Sequence, residues 1–138
     1  MVDQKTTVAR KGQDAEFART HWKRVVVTKA ANYTVLAKDT GTHFIATAAD
    51  VVFSLPATAE GLQYRFSVAA AGLATVTGLS VSPAAADKIM GNGFTSADDK
   101  DAINTAATDR EGDMIEVTGE GTDGWIITGV IGTWARQA

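Results

Sequence analysis

Apolar and polar residues alternate along short segments of the chain from Arg24 onward. Two segments, 50–55 and 63–68, show the alternation most clearly, with Val51, Phe53 and Leu55 on one side of the first and Tyr64, Phe66 and Val68 on one side of the second. A period of two residues is typical of a β-strand with one buried face. Pro56 cannot donate a hydrogen bond to a sheet, so we expect the first strand to end there.

The C-terminal third of the chain predicts a β-hairpin. Residues 114–118 and 125–128 are rich in apolar and β-branched side chains, and three of the six residues between them are glycines. Asp123 and Gly124 tolerate the positive φ angles that hairpin turns require. Residues 130–134 then extend or close the last strand.

The remaining pattern favours strands over helices throughout the body of the chain. Short apolar segments recur between clusters of Gly, Asn, Asp and Pro. The alanine-rich stretches 69–74 and 84–86 are interrupted by Gly72 and Pro83, so we interpret them as loops or single turns. A chain of 138 residues, 45% of them apolar, can bury one core but not two. The sequence therefore predicts one all-β domain, an antiparallel β-sandwich or barrel of jelly-roll-like form.

The first 31 residues differ from the rest in pattern and in charge. Residues 1–31 contain seven Lys or Arg against three acids, a net charge of +4, whereas residues 32–138 contain six against thirteen, a net charge of −7. We therefore expect a basic, extended N-terminal arm at 1–31 and a sandwich domain at 32–138. The arm fits the acidic body of a neighbouring copy or another acidic partner surface, and a solvated terminus is the alternative.

Aromatic residues in the arm favour a contact with another surface. A segment without a core of its own is ordered only when it finds one elsewhere, and a solvated tail seldom carries two large aromatics such as Phe17 and Trp22. Core packing is the open alternative for the tryptophan near the C-terminus. The candidate partner-binding residues are Lys5, Arg10, Lys11, Phe17, Arg19, Trp22, Lys23, Arg24 and Trp134.

The sequence offers little catalytic chemistry. There is no cysteine, and the sole conceivable triad joins His43 and Asp39 to some serine, without the G-x-S-x-G motif of a nucleophile elbow. We therefore expect no enzymatic activity, no catalytic residues and no cofactor.

An acidic segment raises the question of a cation site. Residues 98–101 contain three aspartates, and Asn104 and Asp109 follow nearby. Calcium is bound by several carboxylate oxygens, but the spacing does not match an EF-hand loop. We interpret residues 98–109 as a solvated acidic loop and expect no metal site.

Nucleic acid and membrane are not expected partners. Lys23, Arg24 and Lys29 lie near Trp22, but the acidic remainder of the chain would repel phosphate and no nucleic-acid motif is present. No apolar run approaches the length that spans a bilayer, and the N-terminus lacks the apolar centre of a signal peptide. These features predict a soluble protein made in the cytoplasm.

Seven short segments, in order, resemble a β-module that is common in structural proteins of tailed bacteriophages. They are YTVL at 33–36, VFSLP at 52–56, GLQYRF at 61–66, DKIMG at 87–91, GDMIEV at 112–117, GWII at 124–127 and GTW at 132–134. The likeness covers about residues 32–134 and leaves the basic arm outside it. No catalytic residues come with it.

The resemblance implies a role in the virion. Such modules occur on capsid surfaces and in tail fibres or baseplates, and a single module with only an arm resembles the decoration, or cement, proteins of the capsid. We therefore expect a homotrimer that binds the major capsid protein between capsomers and stabilises the head. The alternative is a tail-fibre or baseplate module that recognises a host-surface glycan through exposed aromatics and nearby carboxylates.

Overall fold

The computed structural model describes residues 24–69 and 78–138. Within these ranges the chain forms eleven strands and one short 3₁₀ turn at Ala37–Asp39. The strands are β1 (Val26–Lys29), β2 (Tyr33–Thr34), β3 (His43–Ala46), β4 (Val52–Ser54), β5 (Gln63–Val68), β6 (Ser80–Ser82), β7 (Lys88–Met90), β8 (Ala102–Asn104), β9 (Met114–Gly119), β10 (Gly124–Ile131) and β11 (Trp134–Arg136). The described part of the chain has no helix long and apolar enough to cross a bilayer.

The strands form two sheets that enclose one apolar core. The six-stranded sheet has the order β1-β3-β5-β9-β10-β7, and the five-stranded sheet has the order β11-β8-β6-β4-β2. The all-β class and the sandwich are therefore confirmed. The strands predicted at 50–55 and 63–68 are β4 and β5.

The expectation of antiparallel strands is wrong for the first half of the chain. From β1 to β6 the chain alternates between the two sheets, so β1, β3 and β5 are parallel neighbours in one sheet, and β2, β4 and β6 are parallel neighbours in the other. A parallel pair needs a crossover, and here each crossover passes through the opposite sheet. The connections from β1 to β5 carry the chain from one layer to the other instead of turning it back within one sheet.

The predicted C-terminal hairpin is confirmed. β9 and β10 are antiparallel, with a bulge between Ile127 and Gly129. The carboxylate of Glu120 accepts hydrogen bonds from the main-chain N–H groups of Thr122 and Gly124, at 2.7 and 2.8 Å, and these bonds hold the pKa of Glu120 below its usual value. Gly124 has a φ of 146°, and a β-carbon there would overlap the main chain of Lys88, so this position requires glycine.

Aromatic rings hold the two sheets together. Phe53 of the five-stranded sheet packs against Phe44 and Phe66 of the six-stranded sheet, with ring centroids 5.4 and 5.0 Å apart. Tyr64 and Trp125 extend the cluster, 5.6 Å apart, and all five side chains are buried. The Tyr64 hydroxyl donates a hydrogen bond of 2.9 Å to the main-chain oxygen of Leu36, and burial, with the nearby charge of Asp39, raises the pKa of Tyr64 to about 12.

The sandwich starts earlier than the boundary predicted at residue 32. β1 (Val26–Lys29) pairs along its whole length with β3, and Val27 packs against the core. Residues 26–29 therefore belong to the sandwich and not to an arm. The predicted boundary followed the change in net charge after residue 31. Net charge gives no information about which residues pair in a sheet, so residues 26–29 were assigned to the arm.

Candidate functional site

The outer face of the six-stranded sheet is the side that points away from the five-stranded sheet. Its side chains form three rows across the strands, because residues that are opposite each other in adjacent strands point to the same side. The first row is Val26, His43, Arg65, Glu116 and Gly129; the second is Thr28, Ile45, Ser67, Met114 and Ile131; the third is Gln63, Thr118, Ile126 and Met90.

Glu116 is the centre of a polar network on this face. Its Oε2 accepts hydrogen bonds from Nε and Nη2 of Arg65, at 3.0 and 2.8 Å. Its Oε1 accepts hydrogen bonds from the Gln63 amide at 3.3 Å and the Thr128 hydroxyl at 3.2 Å, and Nη2 of Arg24 lies 4.0 Å from Oε2. The carboxylate is therefore fully paired within the isolated chain.

The network shifts the pKa values of Glu116 and His43. Burial alone would raise the pKa of Glu116, but the hydrogen bonds and positive charge of Arg65 hold it below its usual value. Burial lowers the pKa of His43, and the charges of Arg65 and Arg24 lower it further against the opposing effect of Glu116. Near neutral pH this surface therefore holds an ionised carboxylate, two guanidinium groups and an uncharged imidazole.

His43 contacts a serine, but without an orienting carboxylate in the described residues. Nε2 of His43 and Oγ of Ser67 lie 2.6 Å apart. Asp39, the triad partner considered from the sequence, instead accepts hydrogen bonds from the Tyr33 hydroxyl at 2.9 Å and the Leu36 main-chain N–H at 3.0 Å. Ser67 is also buried, so the geometry suits a structural contact across β3 and β5 better than attack on a substrate.

Exposed apolar side chains surround the polar network. Val26, Ile126 and Ile131 are 53%, 45% and 57% exposed, and all three point outward from this sheet. Val25, next to β1, is 61% exposed. Singly scattered exposed apolar residues are common on proteins. Here three of them lie on the same sheet face as the paired charge cluster.

Most of the predicted partner-binding residues lie outside the described residues. They are Lys5, Arg10, Lys11, Phe17, Arg19, Trp22 and Lys23. Arg24 is described: it is exposed at the edge of the outer face, and its Nη1 donates a hydrogen bond of 3.3 Å to the main-chain oxygen of Gly41.

Trp134 has the core position that the sequence left open as an alternative. Its side chain is 6% exposed and belongs to the core cluster. Its indole N–H donates a hydrogen bond of 3.0 Å to the main-chain oxygen of Ile131. The ring is therefore not a contact surface in this fold, in contrast to the role predicted for it.

The exposed apolar residues of the outer face were missed in the sequence, although a signal for them exists. Val25-Val26-Val27, at the start of β1, and Trp125-Ile126-Ile127, within β10, are runs of three apolar residues. Because successive side chains in a strand point to opposite faces, the middle residue of such a run faces away from the core. Our prediction considered only the apolar residues expected on the buried face, and so it overlooked this middle residue.

No protein-family model matches the chain, and no curated protein sequence matches it. In residues 24–69 and 78–138, no three side chains of His, Cys, Asp or Glu come together as a metal-binding group.

Proposed function

We propose that this chain is a capsid decoration protein of a tailed bacteriophage. It binds the outer capsid surface between capsomers and stabilises the head through contacts between subunits, without catalysing a reaction. The observation that carries the proposal is the outer face, where exposed apolar side chains surround charges that are already paired. The sequence resemblance to phage structural modules supplies the class of particle.

The outer face packs against a sister subunit in this proposal. Burying an unpaired charge in an interface is costly, but Arg65 and Glu116 enter the interface already hydrogen-bonded to each other. The gain then comes from covering Val26, Ile126 and Ile131, at about 25 cal/mol for each Å² of apolar surface removed from water. The contact is head-to-tail: the outer face of each copy packs against a different surface of the next copy. Three copies around a local symmetry axis then close into a ring.

The basic N-terminal residues bind the capsid in this proposal. Residues 1–25, which precede β1, carry a net charge of +3 and the rest of the chain −6, so the first residues complement an acidic surface of the major capsid protein or the acidic body of a neighbouring copy. Three copies of this basic segment on one trimer turn three weak contacts into a firm attachment.

Co-sedimentation with undecorated capsids tests this function. The full chain should pellet with capsids of the phage that encodes it, and a variant lacking residues 1–22 should stay in the supernatant while circular dichroism shows an intact β-body. Replacing Lys5, Arg10 and Lys11 with Gln is a milder variant that should bind more weakly, and its remaining binding should fall less steeply with salt than that of the full chain, because fewer charges are left to screen. A full chain that never pellets with these capsids would contradict the proposal.

The tail-fibre alternative has less support from the structure. That hypothesis requires exposed aromatic rings beside carboxylates, and Trp134 was the candidate partner-binding aromatic in the body of the chain. In the part of the chain that the structure describes, Trp125 and Trp134 are both buried.

A further inference from the structure

A group of buried oxygen atoms lies at one end of the sandwich, away from the outer face. Asn104 ends β8, Asp113 directly precedes β9, and Asp109 lies in the loop between them. Their exposed fractions are 0%, 5% and 8%. The sequence interpretation of 98–109 as a solvated acidic loop is therefore wrong for Asn104 and Asp109, because the polypeptide folds them under the sandwich end.

Part of this group is satisfied by hydrogen bonds. Oδ2 of Asp113 accepts hydrogen bonds from the Asn104 amide at 3.0 Å and the Arg110 main-chain N–H at 2.9 Å. The same amide nitrogen of Asn104 donates to the main-chain oxygen of Thr133 at 3.2 Å. Both neighbours of this nitrogen are acceptors, so the orientation of the Asn104 amide is fixed and its Oδ1 points away from them.

Three buried oxygens remain without a partner. Oδ1 of Asn104 and both carboxylate oxygens of Asp109 have no hydrogen bond among the described residues. A β-carbon placed on Gly78 would overlap the main-chain oxygen of Asn104 and lie 3.2 Å from Oδ2 of Asp109, so the carboxylate sits close to the end of β8. A buried carboxylate without partners is expensive, and burial together with the charge of Asp113 raises the pKa of Asp109.

We propose that Asp109 and Asn104, beside the carboxylate of Asp113, form a binding site for a calcium ion. Ca²⁺ takes six to eight oxygen ligands from carboxylates, amide carbonyls, main-chain oxygens and water. The site supplies both oxygens of Asp109 and Oδ1 of Asn104, and the charge of Asp113 adds attraction. No third carboxylate or histidine joins them in the described residues, so main-chain oxygens and water complete the coordination.

The ion gives the unpartnered oxygens their ligand and ties the β8–β9 loop to the body. Two carboxylates that repel each other across a buried space become a source of attraction once a divalent cation lies between them. The inference is independent of the capsid role, because it concerns the end of the sandwich and not the outer face or the N-terminal residues.

Calcium binding by the full chain, after removal of metal with a chelator, tests the proposal. Isothermal titration calorimetry with CaCl₂ should show one binding event, and saturating Ca²⁺ should raise the Tm by about 4 °C or more. D109N keeps the side-chain volume and removes the charge, so it should bind at least about tenfold more weakly and lose the Tm shift. The matched control is D98N, which changes an exposed carboxylate 3.7 Å from Lys88 and should keep both effects.

Terbium luminescence gives a second readout that does not depend on a variant. Trp134 is paired opposite Asn104 in the β11–β8 ladder, so its excitation should sensitise a Tb³⁺ ion at this site, and Ca²⁺ should displace the Tb³⁺. The proposal fails if the wild-type chain shows neither binding heat nor a Tm shift, if D109N binds Ca²⁺ as wild type does, or if D98N loses the effects instead. Equal affinity for Mg²⁺ would overturn the assignment to calcium.

Discussion

The two faces of the six-stranded sheet are built from the same strands but hold opposite kinds of surface. β5 shows the contrast within six residues: Tyr64 and Phe66 are buried in the aromatic cluster, whereas Arg65, between them, joins the network of Glu116. On the inner face, apolar groups are covered and stabilise the fold. On the outer face the charges are paired within the chain, while apolar side chains remain uncovered. The outer apolar residues therefore contribute little to the isolated fold, and the proposed function gives them a role between molecules.

Phe66→Ala should produce the largest loss of stability and tests the inner face. Phe66 packs against Phe44 and Phe53, with ring centroids 5.6 and 5.0 Å apart, and has no exposed surface. Removing a buried phenyl ring costs about 3–5 kcal/mol of unfolding free energy. Urea denaturation should show this loss, with a smaller one for Phe66→Leu. Equal losses for the two variants would mean that ring packing does not hold the sheets together.

Glu116→Gln should have an intermediate effect and tests the polar network of the outer face. The change keeps the shape but leaves Arg65 without a charged partner, and because Arg65 is one-third exposed, water offsets part of the loss. We expect a cost of about 1 kcal/mol in the free energy of unfolding. Glu111→Gln, at an exposed carboxylate, is the control and should be neutral. A neutral result for Glu116→Gln would show that the network contributes nothing to the fold.

The pH dependence of stability should distinguish the carboxylate of Glu116, on the outer face, from the buried carboxylate of Asp109. The pKa of Glu116 is lowered in the folded state, so its contribution is present above the ordinary pKa of a glutamate and is lost as the pH falls through the lowered value. The pKa of Asp109 is raised, so without metal the protein loses stability as the pH rises from the ordinary aspartate pKa through the raised value. The measurement is Tm as a function of pH, in the presence of a chelator. Glu116→Gln should abolish the decrease in Tm at falling pH that Glu116 causes, and Asp109→Asn should abolish the decrease at rising pH that Asp109 causes. Unchanged slopes would contradict these assignments.

Ile131→Lys should have the smallest effect on the fold and a large effect on assembly. Ile131 is 57% exposed, so the free energy of unfolding of the isolated chain should change by less than about 0.5 kcal/mol. Analytical ultracentrifugation should show a trimer for the wild-type chain and a shift toward monomer for this variant, because a lysine charge would be buried in the contact. Leu36→Lys is a matched control, since Leu36 is 44% exposed but lies outside the outer face. Equal dissociation by both variants would contradict a role for this face.

The elements that depend on local pattern were predictable from the sequence. β4, β5 and the β9–β10 hairpin follow from alternation and from turn residues such as Asp123 and Gly124. The parallel pairing of β1, β3 and β5 was not predictable. A strand with one buried face shows the same alternation of apolar and polar residues whether its neighbour is parallel or antiparallel. The direction of pairing depends on whether a loop turns back or crosses to the other sheet, and a short loop permits both.

The candidate surface and the buried oxygen group were less predictable. Trp134 was expected at a contact because it lies near the end of the chain, yet an eleventh strand carries it into the core. Asn104 and Asp109 were expected in a solvent-exposed loop, because a segment rich in aspartates usually forms one. Their burial comes from the pairing of β8 with β6 and β11, which is a contact between distant parts of the sequence.

Cryo-electron microscopy of the intact phage particle tests the central claim most directly. The account predicts trimers of this chain on the outside of the capsid, between capsomers, with Ile126 and Ile131 of each copy covered by a sister subunit and the basic N-terminal residues on the shell. Density for the chain in the tail, or single copies on the capsid whose outer face is open to solvent, would contradict it.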